Sequence, residues 1–373
     1  MKIELVNLRK EYETIKNELK QAIDNVFERS DFIFGKDLQL FEEEFAKYCG
    51  TKYALGVDSG TGALELALRA LEIKEGDEVI VPAFTFYATA ASVCYVGAKP
   101  VFVDVDEKTA NIDLNRVEDI LKKNKKIKVI IPVHIFGQPV DMASLIKISE
   151  KYNVKIIEDA AQSHGARVKL NGGIWHRTGS IGLCGCFSFY PAKNLGCYGD
   201  GGIITTNDEG ISKKIKLMRD YGRTGKYEHE SIGYNKRLDT LQAAILRVKL
   251  KYLDERNKKR REIANKYRIL LEGLPVRHLE VKDFAEPIYH MFVVRVKKRD
   301  QLRDYLAEKN IATGVHYPIP LHLQKAFSFL GYKNGDFPVS EKLAKEVISL
   351  PMYPELTEEE IKYVCQTIKE FYK

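Results

Sequence analysis

Short runs rich in β-branched residues alternate with segments of helical periodicity from about residue 50 to residue 205, and this alternation constrains the fold more than any other feature. The clearest helix is predicted over Thr61–Leu71, which places Leu64, Ala67, Leu68 and Leu71 on one face. Strands are predicted over Glu78–Pro82, Pro100–Val105, Val129–His134, Val154–Glu158, Cys186–Tyr190 and Gly202–Thr205. Strands that alternate with helices imply a mostly parallel sheet covered on both faces. The sequence therefore predicts an α/β fold.

The pattern changes after Asn235, where the strand signals become sparse. One long charged helix is predicted over Thr240–Lys266, and the next strand signal is at Met291–Val296. Further helices are predicted near Arg299–Lys309, Val339–Ser349 and Thr357–Phe371, with a Pro-rich loop at His316–His322. We therefore predict a large α/β domain over residues 1–250 and a smaller C-terminal α+β domain over residues 251–373. The large domain includes an N-terminal helical segment, in which Asp37 is predicted to cap a helix that runs through Tyr48 and ends at Gly50.

Composition excludes several classes of protein. A chain of 373 residues with 45% hydrophobic residues can bury a large core, which excludes disorder, collagen and small disulfide scaffolds. No apolar run approaches the ~18–20 residues of a membrane span, and the N-terminal residues lack the apolar core of a signal peptide. The six cysteines are scattered, which is typical of reduced thiols. We expect a cytoplasmic protein without a membrane segment.

The charge pattern and the cysteine spacing give no sign of nucleic-acid or metal binding. The 59 Lys and Arg residues exceed the 52 Asp and Glu residues by only seven, and both signs are interleaved. The basic run at Lys258–Arg261 is more typical of a solvated helix face than of a nucleic-acid surface. Cys184 and Cys186 lack a second pair at zinc-ligand spacing, so no metal site is expected.

In open α/β sheets ligands bind beyond the carboxyl ends of the strands, and four features fall at strand ends or helix starts. One is the tight turn Gly199–Gly202 before the last predicted strand, and the other three carry polar groups suited to chemistry. Ser59–Gly62 forms a Gly-rich turn directly before the predicted helix, and free N–H groups at a helix start can bind phosphate. Asp159 ends an apolar strand, where a carboxylate needs a cationic partner. Lys193 lies in a loop after an aromatic strand, and a desolvated lysine can form a Schiff base. Taken singly, an ordinary N-cap turn and a surface lysine are the commoner explanations of Ser59–Gly62 and Lys193, and helix capping explains Asp159 equally well.

Together these three features match the requirements of pyridoxal 5′-phosphate. The lysine can bind the aldehyde, the carboxylate can keep the pyridine nitrogen protonated, and the helix start can hold the phosphate.

The sequence also resembles the pyridoxal-phosphate-dependent sugar aminotransferases of the DegT/DnrJ/EryC1/StrS family over nearly its whole length. The segments that carry the resemblance are Asp58–Thr61, Val81–Phe86, Pro100–Asp104, His134–Gln138, Glu158–Ala166, Ser188–Gly202, Arg219–Arg223, Asn235–Asp239 and His316–His322. The resemblance implies the aspartate-aminotransferase fold, which is fold type I of pyridoxal-phosphate enzymes, with a smaller C-terminal domain.

The resemblance implies a role for each matching residue. Lys193 is the Schiff-base lysine and the acid/base of the proton shift, Asp159 pairs with the pyridine nitrogen, and Gln162 lies near the ring hydroxyl. Phe86 stacks on the ring, and His164 is a weaker candidate for a contact. The phosphate is held by Gly60, Thr61, Gly62 and Ser188, and by Asn235 of the neighbouring subunit, which implies a homodimer with a composite site.

The residues around the lysine resemble one branch of that family. The branch that acts on 4-keto sugars has His and Glu where this chain has Tyr190 and Asp200. This chain resembles instead the branch that aminates dTDP-3-keto-6-deoxyhexoses in deoxyamino-sugar biosynthesis, with L-glutamate as the expected amino donor. Tyr190, His316 and Tyr317 are then expected to contact the sugar nucleotide.

Three alternatives remain at the level of sequence. A 4-keto-sugar aminotransferase differs only in the residues around the lysine. A non-catalytic regulator would have no reason to keep Lys193, and the chain has no recognisable helix-turn-helix segment. The lyase or dehydratase branch of the fold has His in place of this lysine. The hexose epimer and the choice between dTDP and UDP stay open.

Overall fold

A seven-stranded sheet forms the centre of the protein in a computed structural model that describes residues 1–373. The strands of the chain are β1 (Tyr53–Val57), β2 (Glu78–Pro82), β3 (Lys99–Val103), β4 (Ile127–Ile130), β5 (Lys155–Asp159), β6 (Arg167–Lys169), β7 (Trp175–Arg177), β8 (Cys184–Ser188), β9 (Gly202–Thr206), β10 (Arg277–His278), β11 (Ala285–Glu286), β12 (Phe292–Arg295) and β13 (Val347–Leu350). The central order is β1-β9-β8-β5-β4-β2-β3. Only β9 runs against its neighbours, so the prediction of a mostly parallel sheet is confirmed.

Helices cover the sheet and build the N-terminal and C-terminal parts of the chain. They are α1 (Leu8–Arg29), α2 (Lys36–Cys49), α3 (Gly60–Ala70), α4 (Tyr87–Tyr95), α5 (Leu114–Lys123), α6 (Met142–Tyr152), α7 (Glu209–Met218), α8 (Thr240–Leu250), α9 (Leu253–Leu270), α10 (Arg299–Glu308), α11 (Pro338–Glu346) and α12 (Glu358–Phe371). Several begin at side-chain caps, because Asp or Ser oxygens satisfy N–H groups that have no partner within the helix. No helix combines the length and the apolar composition that a membrane crossing needs.

The C-terminal part has its own antiparallel sheet, in the order β10-β12-β13. Its core contains Tyr267, Phe292 and Leu302, and it also takes in Ile3 from the other end of the chain, which pairs with Ile311. Conversely, Leu321 and Phe327 of the C-terminal part pack into the core around the central sheet. Segments of each part thus pack into the core of the other, and the division near residue 250 stays a prediction.

Three local predictions are wrong. The helix predicted near Val339–Ser349 ends at Glu346, because the next residues pair with β12 as strand β13. The single helix over residues 240–266 is two helices, because α8 packs against α1 and α2 whereas α9 packs against α12. Asp37 does not cap α2, since Gly35 occupies the N-cap position. The Asp37 carboxylate instead pairs with Arg29 and Arg247. The predicted end of α2 is confirmed, with Gly50 at a φ of 80°.

Candidate active site

A cavity of about 580 Å³ lies beyond the carboxyl ends of the parallel strands. Ser188 and Asp159 enter it from the ends of β8 and β5, and Phe86 enters it from the loop after β2. Met291, His316, Tyr317, Ser349, Leu350 and Met352 close it from the C-terminal part. The site therefore lies at the edge of the sheet where open α/β folds bind ligands.

Lys193 lines the cavity from the loop that follows β8. Its backbone N–H donates to the Tyr190 carbonyl at 2.8 Å, which closes the turn that carries the side chain. Burial lowers the pKa of Lys193 to about 8, while the nearby Asp159 carboxylate opposes this shift. An amine with this pKa is partly neutral near pH 7–8, and so it can attack a carbonyl or accept a proton.

Asp159 lies at the end of β5, where it is buried. One carboxylate oxygen accepts a hydrogen bond from the Thr89 hydroxyl at 2.8 Å, and the other accepts one from the Ala161 N–H at 3.2 Å. Burial raises the pKa of Asp159, and these two hydrogen bonds oppose the shift. A buried carboxylate that faces a cavity is stabilised by a cationic N–H group on a ligand.

Thr89 was missed by sequence reasoning. It is a buried hydroxyl in α4, a helix of mostly apolar and small residues, and that contrast is the one signal that could have identified it.

The start of α3 forms the third wall, where Gly60 and Thr61 line the cavity beside Ser188. A Cβ on Gly60 would lie 2.6 Å from the Ser188 Cβ, so only glycine lets β8 approach this closely. The Gly62 N–H donates to the Ser59 hydroxyl at 3.0 Å, and Gly62 does not line the cavity. Free N–H groups at a helix start, with a hydroxyl beside them, can hold a phosphate.

A hydrogen-bonded chain of three residues reaches another part of the cavity, which two of them, Gln162 and Tyr317, line. The Phe136 N–H donates to the Gln162 side-chain oxygen at 2.6 Å, and the Gln162 side-chain nitrogen donates to the Tyr317 hydroxyl at 2.9 Å. The Phe86 ring lies 5.9 Å from the Tyr317 ring, and 54% of Phe86 is exposed. The Phe86 ring is thus available to a flat ligand.

Tyr190 and His316 also line the cavity, as does Asp200. The His316 Nδ1 lies 2.8 Å from the Ser349 hydroxyl, and burial lowers the pKa of His316 to about 4. Its imidazole is therefore neutral at pH 7. All three line the same cavity as Lys193, although His316 is more than a hundred residues away in the sequence.

Two other predicted residues lie outside the cavity. Asn235 is exposed at a bridge with Asp220, and its role toward a neighbouring subunit stays a prediction. His164 is fully buried against Phe187 and Phe189, with ring centroids 5.3 and 5.8 Å apart.

Sequence reasoning missed the apolar wall of the cavity. Leu5, Val6, Met291, Leu350 and Met352 form it from three distant parts of the chain. No local sequence pattern distinguishes these residues, because each is a hydrophobic residue like those of the protein core.

The arrangement fits pyridoxal 5′-phosphate. An amine with a lowered pKa, a buried carboxylate in need of a cationic partner and a helix start without bulky side chains face one cavity. These are the groups that would hold the aldehyde, the ring nitrogen and the phosphate of this cofactor.

Comparison with known proteins gives a family and a set of relatives. The model of the DegT/DnrJ/EryC1/StrS aminotransferase family matches residues 13–369. A dTDP-3-amino-3,6-dideoxy-alpha-D-galactopyranose transaminase from Aneurinibacillus thermoaerophilus is 45% identical, over 99% of each chain. A protein of Geobacillus stearothermophilus named a pleiotropic regulatory protein is also 45% identical, over 100% of this chain and 99% of that one. Other relatives are named for UDP-linked sugars with a 3-dehydro or 3-oxo group.

A solved structure has nearly the same backbone. The crystal structure of DesV from S. venezuelae in complex with a ketimine intermediate superposes with a TM-score of 0.96 at 39% identity, covering 100% of this chain and 99% of that one. The fold predicted from the sequence is therefore confirmed.

Proposed function

Because this chain belongs to the DegT/DnrJ/EryC1/StrS aminotransferase family, we propose that it transfers an amino group from L-glutamate to the C3 keto group of a dTDP-3-keto-6-deoxyhexose. The product is the corresponding dTDP-3-amino-3,6-dideoxyhexose. The wider class, a pyridoxal-phosphate-dependent sugar-nucleotide aminotransferase, is common to the family and to relatives along the whole chain. The observation that carries the proposal is that Lys193 and Asp159 face one cavity at the strand ends.

The cofactor, when bound, acts as an electron sink and carries the amino group between the two substrates. Lys193 is the group of this chain that moves the proton, because its pKa of about 8 lets it accept and return a proton near neutral pH. The Asp159 carboxylate, one oxygen of which accepts a hydrogen bond from Thr89, would hold the proton on the ring nitrogen. The start of α3 and the Ser188 hydroxyl would hold the phosphate.

Residues on both sides of Lys193 support the 3-keto position. Tyr190 and Asp200 line the cavity, and they stand where the 4-keto branch of the family has His and Glu. Tyr190 is 58% exposed, so its hydroxyl is free to bind a sugar. The relatives with 3-amino, 3-dehydro or 3-oxo sugars in their names agree with this position but differ in the nucleotide.

The regulatory name of one relative does not favour a non-catalytic role here. A protein that had lost catalysis would not need a lysine of lowered pKa beside a buried carboxylate. We therefore retain the enzyme as the proposed function.

We further propose that the active unit is a homodimer. Lys193 is the only Lys or Arg side chain that lines the cavity, yet the substrate carries two phosphate charges and the donor carries carboxylates. Asn235 is exposed outside the cavity of its own chain, and it bridges Asp220, whose carboxylate pairs with Arg223 and Arg237. A neighbouring subunit that brings this segment to the site would supply both the amide and the positive charge.

Complementation tests the composite site. Lys193→Ala and Asn235→Ala should each be inactive alone, whereas a mixture refolded at equal amounts should regain roughly a quarter of wild-type activity, since half of the dimers contain one intact site of two. No recovery in a mixture that forms dimers by light scattering would contradict a shared site.

Direct competition tests the substrate. The 3-keto and 4-keto forms of dTDP and UDP 6-deoxyhexoses are incubated with L-glutamate and the enzyme, and kcat/KM values are compared with products identified by NMR. We expect the dTDP-3-keto sugar to react with the highest kcat/KM. A preference for a 4-keto sugar would contradict the interpretation of Tyr190 and Asp200, while the aminotransferase class would stand.

A further inference from the structure

Lys249 is a buried lysine outside the cavity, near the end of α8. It is 2% exposed, and its Nζ donates to the Gly196 carbonyl at 2.6 Å. The same Nζ lies 3.0 Å from the Glu11 carboxylate and 5.0 Å from the centroid of the Tyr198 ring. A buried ammonium is costly unless it is paired and hydrogen-bonded, and Lys249 meets both conditions.

The carbonyl that Lys249 binds belongs to the loop that carries Lys193. We call residues 190–197 the lysine loop. A Cβ on Gly196 would lie 2.3 Å from the Pro191 carbonyl oxygen, so the two arms of the lysine loop are in tight contact. The Cys197 N–H donates to the Phe189 carbonyl at 2.8 Å and closes the base of the loop. A displacement of Gly196 would therefore displace Lys193.

Glu11 connects this point to distant parts of the chain. Its carboxylate also lies 3.1 Å from Arg256 of α9, and Arg256 lies 3.1 Å from Glu355 of the C-terminal part. Glu11, Arg256, Glu355, Lys193 and Asn194 line a narrow space behind the lysine loop. The ion-paired cluster thus joins α1, α8, α9 and the C-terminal part directly behind Lys193.

We propose that the buried ion pair between Glu11 and Lys249 is a positioning device, which holds the Gly196 carbonyl and thereby keeps Lys193 Nζ at its place in the cavity. Helix α1 then belongs to the catalytic apparatus through Glu11, although it contributes no residue to the chemistry. This inference depends on the proposed role of Lys193.

The chain offers a matched control two residues away. Lys251 also pairs with α1, at 3.4 Å from Glu18, but it is exposed and makes no contact with the lysine loop. Lys249→Met and Lys251→Met therefore each remove one ion pair to α1, and only the first releases Gly196.

The test measures how fast Lys193 of the apoenzyme condenses with added pyridoxal 5′-phosphate, followed by visible absorbance, together with kcat, KM and Tm. We expect Lys249→Met to slow condensation by at least about tenfold, which corresponds to the loss of one charge-assisted hydrogen bond. The kcat should fall by a similar factor, with KM for the sugar nucleotide within about twofold of wild type. Lys251→Met should leave condensation and kcat within about twofold of wild type, and Lys249→Arg should restore part of the rate because it keeps a donor.

A lower Tm in Lys249→Met with an unchanged condensation rate and kcat would overturn the proposal, because the pair would then only stabilise the fold. If Lys249→Met does not fold, Glu11→Gln provides the same test. This change removes the charge that pairs with Lys249 but keeps a side chain of the same shape, and Arg256 remains in place. Condensation requires no sugar, so a failure to find a sugar substrate would leave this outcome unaffected.

Discussion

The Gln162 side-chain nitrogen donates a hydrogen bond to the Tyr317 hydroxyl at 2.9 Å, and the direction of that bond is fixed from outside the pair. The Phe136 N–H can only donate, and it lies 2.6 Å from the Gln162 oxygen. The amide nitrogen must therefore face Tyr317. The Tyr317 oxygen accepts, and its own proton is free to be donated into the cavity.

The first prediction follows from that direction. Tyr317→Phe removes the donor and should lower kcat/KM by about tenfold to a hundredfold, the cost of one unpaired polar group in a closed site. Gln162→Glu should lower kcat/KM similarly, because a carboxylate would take the Tyr317 proton for itself. Steady-state kinetics of both variants test this, and a Tyr317→Phe enzyme within about twofold of wild type would show that nothing in the cavity accepts the proton.

The second prediction concerns the cofactor lysine. Borohydride reduction of the enzyme with pyridoxal 5′-phosphate should leave the pyridoxyl group on Lys193, as read by peptide mapping. The rate of condensation should rise with pH and level off above about pH 8, since deprotonation of Lys193 exposes the nucleophilic amine. An ordinary lysine would continue to gain rate up to about pH 10. Label on another lysine would refute the assignment of the site.

The third prediction concerns the effect of Asp159 on the pH dependence of the condensation rate. The Asp159 carboxylate raises the pKa of Lys193, so Asp159→Asn should move the inflection to lower pH. The same change removes the charge that keeps the ring nitrogen protonated, and turnover should fall by at least about a hundredfold. Thr89→Val leaves the charge in place and should cost about tenfold or less. Near-normal turnover in Asp159→Asn would show that this carboxylate has only a structural role.

The fourth prediction concerns the close approach of α3 and β8. Gly60→Ala places a Cβ 2.6 Å from the Ser188 Cβ, so the helix start and the Ser188 hydroxyl must separate. We expect the Kd for pyridoxal 5′-phosphate to rise by about tenfold or more, measured by fluorescence titration. Gly210→Ala is the control, since Gly210 lies in the first turn of α7 and its added Cβ would come no closer than 3.3 Å to Asp208. Equal affinity in Gly60→Ala and wild type would show that the phosphate does not bind at this helix start.

Local patterns in the sequence predicted the α/β class, the strands that end at the cavity, and Lys193, Asp159 and the turn at Gly60 and Thr61 that face it. These predictions were possible because periodicity, turn residues and position at a strand end are local properties, and because parallel strands bring their carboxyl ends to one edge of a sheet. The family resemblance added the other predicted residues of the cavity, which are Phe86, Gln162, Ser188, Tyr190, His316 and Tyr317. The helix break after Leu250 was not predicted, since no Gly or Pro interrupts residues 240–270, although the sequence changes there from largely apolar in α8 to highly charged in α9. The different packing partners of α8 and α9 go with that change.

The tertiary structure decided the groups that hold those residues in place. Thr89 bonds Asp159, Tyr317 bonds Gln162 and Lys249 bonds Gly196, over sequence separations of 70, 155 and 53 residues. Such pairs are set by how helices pack on the sheet and on each other, and no periodic pattern encodes them. Sequence therefore determined which chemical groups reach the cavity, whereas packing determined their protonation and orientation, because burial and hydrogen-bond partners exist only in the folded chain.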